Sequence, residues 1–579
     1  MHYIDSFDSD YTPLCSRGSL ERGFGEMIAR ELGIPCQLGE ILYNRGVTTL
    51  KQAKEFLYPQ LSMLPMPEKM KGVREAVSCI LENCRENRPI FIHGDYDVDG
   101  ITATALLMAF FREIGQESFF YIPNRLEESY GLSVSSINRL VAQCPGREGV
   151  IISVDCGITA IREVAYAKQL GHRIIVTDHH EPQDILPAAD AILNPKQAGC
   201  TFPCSFLSGV GVTFFLVMAL RKTMAPSVNL KKYLDLVALG TVADVVPLLG
   251  VNRVLVRAGL EVLSAKDRLG VFSLCNCSGL EVEQGVLSED ISFKLAPRIN
   301  AAGRLGCPHK GVELLLAEDM QQARQAALAL EQMNAVRKQL VVDALAMVEA
   351  ACVEQAQAGV NGLTIYQYDC HPGVLGILAS RIVERYNRPT IVFTDDKKNG
   401  PGDLIKGSGR SIREVNLFHV LDQCSYVLEQ FGGHAMAVGL TLKKKNLGLF
   451  AQLFNQKLIQ FNNQLSATVE TVIDYKMTDI SLLTKNFAQA LQWLQPFGEG
   501  NPEPIFLLPE QKLLSPRVRN GHLIFQVQGR GHIFHGIGFR LDCPGMDLAH
   551  PANLVFQLKR SWFKGAERDQ VHALQLVSP

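Results

Sequence analysis

The 579-residue chain lacks any Cys-x-x-Cys pair, any long apolar run and any sizeable net charge. Its 15 cysteines are scattered. The nearest couples, Cys200/Cys204 and Cys275/Cys277, have no second half to complete a zinc site, so they read as buried free thiols. The longest apolar stretch, GVGVTFFLVMAL at 209–220, stops at Arg221. A bilayer needs about 20 such residues, so this one does not span. The opening residues, MHYIDSFDSD, lack the charged-then-apolar order of a secretion signal. No internal repeat or low-complexity tract stands out. These absences predict a reduced, cytoplasmic protein with no membrane contact. A formal net charge of −2 excludes a global basic field, so any nucleic-acid contact has to come from local patches.

A hydrophobic content of 47% over this length is enough for several cores, roughly three to five domains. RPIFIHG reads as a buried strand and ITATALLMAFFREIG as the helix that follows it. SFFYIPN, GVIISVDCG and HRIIVTDHHEP are further strands, with the helix-like TAIREVAYAKQLG between the last two. Alternation of this kind predicts an α/β fold with a parallel sheet. Residues 209–260 read as mostly helical, with LVALGTVADVVPL in the middle. From 311 to 356 no Pro and no further Gly interrupt the chain, which predicts a long helix, or a broken one, between two domains. A second α/β unit follows, from LTIYQYD to about residue 460. After QPFGEGNPEP, short alternating runs such as HLIFQVQG and ANLVFQLKR predict a small β-barrel.

The ionisable residues collect at strand ends. IFIHGDYDVDG places His93, Asp95, Asp97 and Asp99 after the first strand. VIISVDCG places Asp155, and IIVTDHH places Asp178, His179 and His180. In open α/β sheets ligands bind beyond the carboxyl ends of parallel strands, so one rule gathers all of these into one crevice. Asp244, in GTVADVVPL, is a further acidic candidate in an apolar setting. Any single Asp after a strand reads first as a helix cap or turn residue, and Asp99-Gly100 as a common turn pair. His172 reads as a surface residue. The full set is harder to explain by capping. Crowded carboxylates raise one another's pKa, and divalent cations relieve this. Asp and His with more than one metal suit Mn²⁺ or Mg²⁺, with Asp155 able to bridge two ions that act on a phosphodiester.

HGDYDVDG, VDCG, TDHH, GTVADVVPL, PRINAAGR, HPGVLGILASRI, GSGRS and GGHAMAVGL span residues 93–440. Together they resemble the DHH phosphoesterase superfamily, and within it the bacterial exonucleases that degrade single-stranded DNA from the 5′ end to mononucleotides in recombination and repair. The resemblance implies that His93, Asp97 and Asp155 hold one Mn²⁺ or Mg²⁺, and that Asp99, Asp155, His179 and Asp244 hold the other. His180 would act beside them on phosphate or water, with Asp95 behind the ligands. It also implies a monomer working with a single-strand-binding protein and a helicase. Val98 and Val438 stand where the family often has Ala; neither departure removes a ligand.

Substrate contacts are expected from the second half and from the loops around the first. Glycines flank Ser408 and precede Arg410 in KGSGRS, opening the backbone to a phosphate beside a fork-shaped cation. FGGHAMAVG offers Gly432, Gly433 and His434; APRINAAGRLG offers Arg298, Asn300 and Arg304; IPNRLEESYG offers Arg125 and Tyr130. The resemblance assigns Arg125, Ser408 and Arg410 to the 5′ phosphate and Tyr130 to base stacking. For each Arg an ordinary salt bridge is the plain alternative, and for Tyr130 core packing. His371 before Pro372 reads equally as a substrate contact or a helix cap.

Residues 501–579 carry nine Lys+Arg against six acids, with Phe525, Phe534, Phe539, Phe556 and Trp562 among them. Such a barrel binds single strands by charge and stacking, although about half of these aromatics have to be core. The expected domains are an N-terminal segment (1–60), a DHH catalytic domain (61–270), a connecting region with the long helix (271–356), a DHHA1 substrate-binding domain (357–460) and an OB-like nucleic-acid-binding domain (468–579). The competing assignments are another DHH phosphodiesterase, of nanoRNase, cyclic-dinucleotide or pyrophosphatase type, or a non-catalytic scaffold. The first are shorter and lack the barrel; the second have lost ligands that are all present here.

Overall fold

The apolar run ending at His93 forms strand β1 (Ile90–His93), buried along its whole length. Asp97 then caps helix α1 (Val98–Glu113), its side chain accepting from the backbone N–H groups of Asp99 and Gly100. Strands β2 (Ser118–Tyr121), β3 (Val150–Val154), β4 (Arg173–Thr177) and β5 (Ala191–Leu193) complete a sheet ordered β2-β1-β3-β4-β5. Every pair in it is parallel. Parallel sheets are covered on both faces, which is why β1 and β3 read as unbroken apolar runs rather than alternating ones. The order reverses between β1 and β3, and a crevice opens beyond the carboxyl ends of two such strands. His172 is buried, in contrast to its surface reading: its ring meets Phe91 edge-on at 5.4 Å and accepts from the Gly149 N–H. A His directly before a strand enters with the core.

Helices α2 (Gly209–Met224) and α3 (Leu234–Ala243) pack on α1, and α4 (Ala296–Arg304) follows a π-helical turn at Ile291–Leu295. The long helix is present but begins later than the break-free run suggests. Residues His309–Leu315 form a separate short helix, and α5 (Met320–Gln357) starts where Asp319 accepts from the Gln322 N–H. Over 38 residues α5 packs on α4 and then on the second sheet, so it bridges two layers. That sheet holds β6 (Leu363–Tyr366), β7 (Thr390–Asp395), β8 (Leu404–Arg410), β9 (Gln430–Gly433) and β10 (Ala437–Lys443) in the order β6-β7-β8-β10-β9, with helix α6 (Leu375–Tyr386) after β6. Only β6 and β7 are parallel.

This computed structural model describes residues 19–128, 131–396, 403–413, 415–461, 471–529, 533–541, 548, 550–563 and 566–577. Its contacts divide the chain into two units. One is Pro65–Val246 with Ala258–Ala467, which holds both sheets above; the other is Met1–Leu64 and Pro247–Arg257 with Thr468–Pro579. The second contains a seven-stranded sheet, β11 (Tyr475–Lys476), β12 (Phe506–Gln511), β13 (Leu514–Arg519), β14 (His522–Gln528), β15 (Ile533–Gly538), β16 (Ala552–Phe563) and β17 (Ala566–Val577), ordered β11-β12-β16-β17-β15-β14-β13. The N-terminal segment is not separate from it. Ile28, Leu38 and Ile41 share one core with Phe487, Phe506 and Phe556.

Arg253 ties this unit together. It is 2% exposed, lies 3.8 Å over the Phe56 ring and donates to the carbonyls of Phe56, Trp493, Leu494 and Gln495. Burial lowers its pKa to about 9. Replacing it by Ala strands those carbonyls, at about 1–3 kcal/mol for each one that water does not reach. The expected loss is about 3 kcal/mol or more, a fall of about 6–12 °C in the unfolding of a unit of this size. Calorimetry of Arg253→Ala measures it, and a fall under about 2 °C would mean that water replaces the guanidinium. No helix among the described residues is long and apolar enough to cross a membrane.

Candidate active site

The strand-end residues meet beyond β1 and β3. Asp95, Asp97 and Asp155 form one group whose ligand atoms lie within 4.8 Å of one another; Asp99, His179 and Asp244 form a second; Asp155, His179 and His180 form a third that joins them. His179 Nε2 is 3.1 Å from Asp155 Oδ1, 3.5 Å from Asp244 Oδ2 and 3.9 Å from Asp99 Oδ2. Asp155 holds φ +62°, a left-handed conformation that costs a non-glycine residue free energy. Helix α2 begins against it with Gly209, where a Cβ would stand 2.6 Å from Asp155 Oδ1. The Gly209 and Val210 N–H groups at that helix start donate to Asp99. Asp244 ends α3.

One expected ligand points elsewhere. His93 Nε2 is 2.8 Å from Ser136 Oγ and its Nδ1 is 3.7 Å from Cys156 Sγ, so the metal-ligand group at this end contains Asp95 where His93 was expected. Asp95, expected behind the ligands, lies with Asp97 and Asp155 in that group. His93 ends β1, and the pleat turns its ring toward the helix that carries Ser136.

The cluster is electrostatically unsatisfied. Asp95 Oδ1, Asp155 Oδ1, Asp244 Oδ2 and His179 Nε2 are all buried without a hydrogen-bond partner. Burial, and then mutual repulsion, pushes Asp99 up to about 7 and Asp244 up to about 9. The same causes hold Asp95 and Asp155 well above the usual carboxylate range. Burial holds His93 down to about 4 and, with His180 beside it, His179 down to about 3, so both rings are neutral donors of a lone pair. Orphaned acceptors around neutral imidazoles are the donor set that divalent cations need.

His180 is different. Burial alone would lower its pKa, but its hydrogen bond to Asp178 and the charges of Asp95 and Asp97 prevail and raise it. Asp178 Oδ1 lies 2.7 Å from His180 Nδ1 and also accepts from the His179 and His180 N–H groups. Asp178 was legible as a strand-end acid, but its part in aiming His180 needs the geometry. The His180 ring stacks on His434 of the second sheet at 6.1 Å and 13°. Gly432 and Gly433 precede His434 in β9, exposed, with Gly433 at φ +135°.

Four arginines gather next to this centre. Arg410 Nη1 donates to Gly409 O and lies 3.4 Å from Ser408 Oγ; Gly376 leaves room for it, since a Cβ there would stand 2.8 Å from Arg410 Nη2. Arg125 lies 5.0 Å over the Tyr96 ring. Burial, then Arg125, Arg410 and Arg337, lowers Arg304 to about 10, while burial and then Arg125 lowers Arg410. None of the four has an ion pair with an acid among the described residues.

Arg298 does not join them: its guanidinium is paired with Glu331 and donates to Lys294 O, which makes it a buried structural cation rather than a substrate contact. His371 caps the turn at Pro372 by accepting from the Gly373 N–H, which supports its capping reading. Asn300 and Arg304 line a cavity with Arg337, a residue that nothing in its local sequence singles out. Tyr130 lies outside the described residues.

In the C-terminal sheet Phe525 and Phe556 are core, and Phe534 packs against that core. Phe539 is 59% exposed, between His522 and His572 at 5.5 Å from each. Arg517 and Arg519 are exposed on β13, whereas Lys559 pairs with Glu503 and Arg560 with Asp569. The side chain of Trp562 is outside the described set.

Comparison with known proteins fits this arrangement. Residues 89–241 match the DHH family, N-terminal domain, residues 359–460 the DHHA1 domain, and residues 473–574 the RecJ OB domain. The fold and the site are thus those of a DHH-family protein. The chain is 36% identical over 546 residues to the single-stranded-DNA-specific exonuclease RecJ of Haemophilus influenzae, covering 89% of this chain and 92% of that one. It is 37% identical to the same enzyme of Escherichia coli, covering 88% and 90%. A crystal structure of RecJ from Thermus thermophilus in complex with Mn²⁺ superposes with a TM-score of 0.81 at 28% identity, covering 96% of this chain and 78% of that one. A second structure of that protein contains Mg²⁺ (TM-score 0.76, 27% identity, 96% and 77% covered). This chain belongs to the RecJ family of single-stranded-DNA-specific exonucleases.

Proposed function

We propose that this protein hydrolyses the terminal phosphodiester of single-stranded DNA from the 5′ end, releasing mononucleotides in recombination and repair. The carrying observation is the set of orphaned carboxylate oxygens around His179, next to arginines without acid partners. Asp99, Asp155, His179 and Asp244 would hold one Mn²⁺ or Mg²⁺. Asp97, Asp155 and Asp95 would hold the other, with His93 beneath. Bound there, two divalent cations activate water and neutralise charge at phosphorus. His180, aimed by its hydrogen bond to Asp178, would meet a phosphate oxygen or a water, with the His434 ring stacked on it. Arg410, Ser408 and Arg125 hold the 5′ phosphate. Gly432 and Gly433 let the strand approach the backbone. The C-terminal sheet holds more of the strand through Arg517, Arg519 and Phe539. The protein would work in the cytoplasm as a monomer, with a single-strand-binding protein and a helicase supplying the strand.

Purified protein with Mn²⁺ or Mg²⁺, given single and double strands labelled at the 5′ or the 3′ end, tests this. Mononucleotides should leave the 5′ end of single strands first. Release from the 3′ end, or equal attack on duplex, would reject the reading.

The cluster also predicts a stability signature. Unfolded carboxyls titrate near 3.9, whereas Asp99 and Asp244 titrate at about 7 and about 9 in the fold. Between these values the metal-free folded state binds more protons than the unfolded one, so its stability falls as pH rises from about 4 to about 9. Mn²⁺ binds the deprotonated form and should therefore raise Tm more at pH 8.5 than at pH 6. Calorimetry in chelator and in Mn²⁺ at both pH values gives the comparison; no Mn²⁺-dependent shift at pH 8.5 would reject the site.

A further inference from the structure

We propose that the cavity beside Asp244 is a subsite for an internal nucleotide of the strand, with Arg337 as the ligand of a third phosphate, distinct from the terminal and scissile ones. This rests on the exonuclease reading and adds a contact to it. The cavity, of about 250 Å³, has Val242, Ala243 and Val245 on one wall, Asn300 and Arg304 of α4 on another, and Arg337 of α5 and Ile377 of α6 closing it. It starts where the metal-ligand cluster stops and ends on the helix that packs against Arg410.

Arg337 enters from the long helix. Its Nη2 donates to Asn334 Oδ1 at 2.8 Å, but its Nε is buried without a partner. A cationic N–H kept from water and left unpaired is costly, and an anion arriving in the cavity removes that cost. No acid among the described residues supplies the anion. The cations nearest Arg337, Arg381 and Arg298, have their own acid partners in Glu384 and Glu331, but those nearest Arg304, namely Arg125, Arg410 and Arg337 itself, have none among the described residues. Such a concentration of positive charge in a half-enclosed space favours a phosphate. The other wall is apolar and suits a deoxyribose or the face of a base. Val245 there is 65% exposed at φ +59°, a conformation that a β-branched residue adopts only under constraint. A plain i,i+3 surface pair between Asn334 and Arg337 would leave Nε in water, and here it is not.

The test uses two 5′-phosphorylated ligands. A thymidine dinucleotide carries only the terminal and the scissile phosphate; a 20-mer carries the third. Kd is measured by calorimetry in chelator, where neither ligand is cut, for the wild type, Arg337→Ala and Arg337→Lys. Arg337→Ala should weaken the 20-mer about tenfold or more and leave the dinucleotide within about twofold. It should also lower the salt slope for the 20-mer by about 0.7. Arg337→Lys should recover part of the loss, since a point charge lacks the fork. Equal weakening of both ligands, or of neither, overturns the subsite. Should Arg337→Ala fail to fold, the Lys variant gives the same comparison. Because the readout is binding, it is separate from hydrolysis: a protein that cuts nothing yet shows the length-dependent loss keeps the subsite and loses the exonuclease reading.

Discussion

Asp155→Ala should lower the rate of single-strand cleavage by roughly three decades or more, while single-strand affinity stays within about twofold. Asp155 belongs to two of the three metal-ligand groups, one shared with Asp95 and Asp97 and the other with His179 and His180, so its loss would disturb both ends of the cluster at once. Metal-assisted phosphoryl transfer draws several kcal/mol of transition-state stabilisation from those sites, and each 1.36 kcal/mol is a decade, so about 4 kcal/mol gives about three decades. Affinity comes mainly from phosphate contacts elsewhere. Asp155→Asn is the folding control, because Asn tolerates the φ of +62° found at this position. It should even raise the metal-free Tm at alkaline pH by removing one of the mutually repelling carboxylates. Near-normal turnover of either variant would sink the two-metal assignment.

Arg410→Ala should cost about one to two decades in kcat/KM on strands with a 5′ phosphate, and less on strands with a 5′ hydroxyl. The guanidinium is half-buried beside Ser408, without an acid among the described residues, and Gly376 leaves it room. A terminal phosphate carries more charge than a diester, and each charged hydrogen bond is worth roughly 1.5–3 kcal/mol. A strand without that phosphate never makes the contact. Matched oligonucleotides in the two forms give the ratio directly. An equal loss on both would leave Arg410 as a general backbone or structural contact.

The parallel sheet was legible because β1, β3 and β4 are apolar runs that end beside an acid, and the strand-end rule then gathers Asp97, Asp99, Asp155 and His179 without knowledge of any contact. That Asp95 lies with Asp97 and Asp155 while the His93 ring meets Ser136 was not legible, because it depends on which way the last residue of β1 turns. Of the two readings open for Arg298 the structure favours the salt bridge, with Glu331, and the sequence carried a signal for it. Arg298 lies six residues before Arg304 on one helix, about 240° around it, so the two cannot share a face, whereas Asn300 and Arg304 at i,i+4 can. Arg337 gave no signal, since an arginine on a long polar helix looks like any other until the cavity is seen. The union of the N-terminal helices with the tail was also out of reach: Asn44 donates to Asp474 O across 430 positions, and no local pattern encodes such a pairing.

That union has a consequence for how the molecule is made. The helices Cys36–Asn44 and Leu50–Leu57 leave a ribosome early, but the residues that cover Leu38, Ile41 and Ala53 begin only near residue 473. Roughly 400 residues separate the two, so at 5–20 residues per second the first helices wait about 20–80 s for their partners. During that wait the intervening sheets can fold, while an apolar strip at the amino end stays open to holding chaperones or to self-association. A nascent chain stalled before the last strands should therefore carry a folded middle and a sticky beginning, and its solubility should depend on what binds that beginning until synthesis ends.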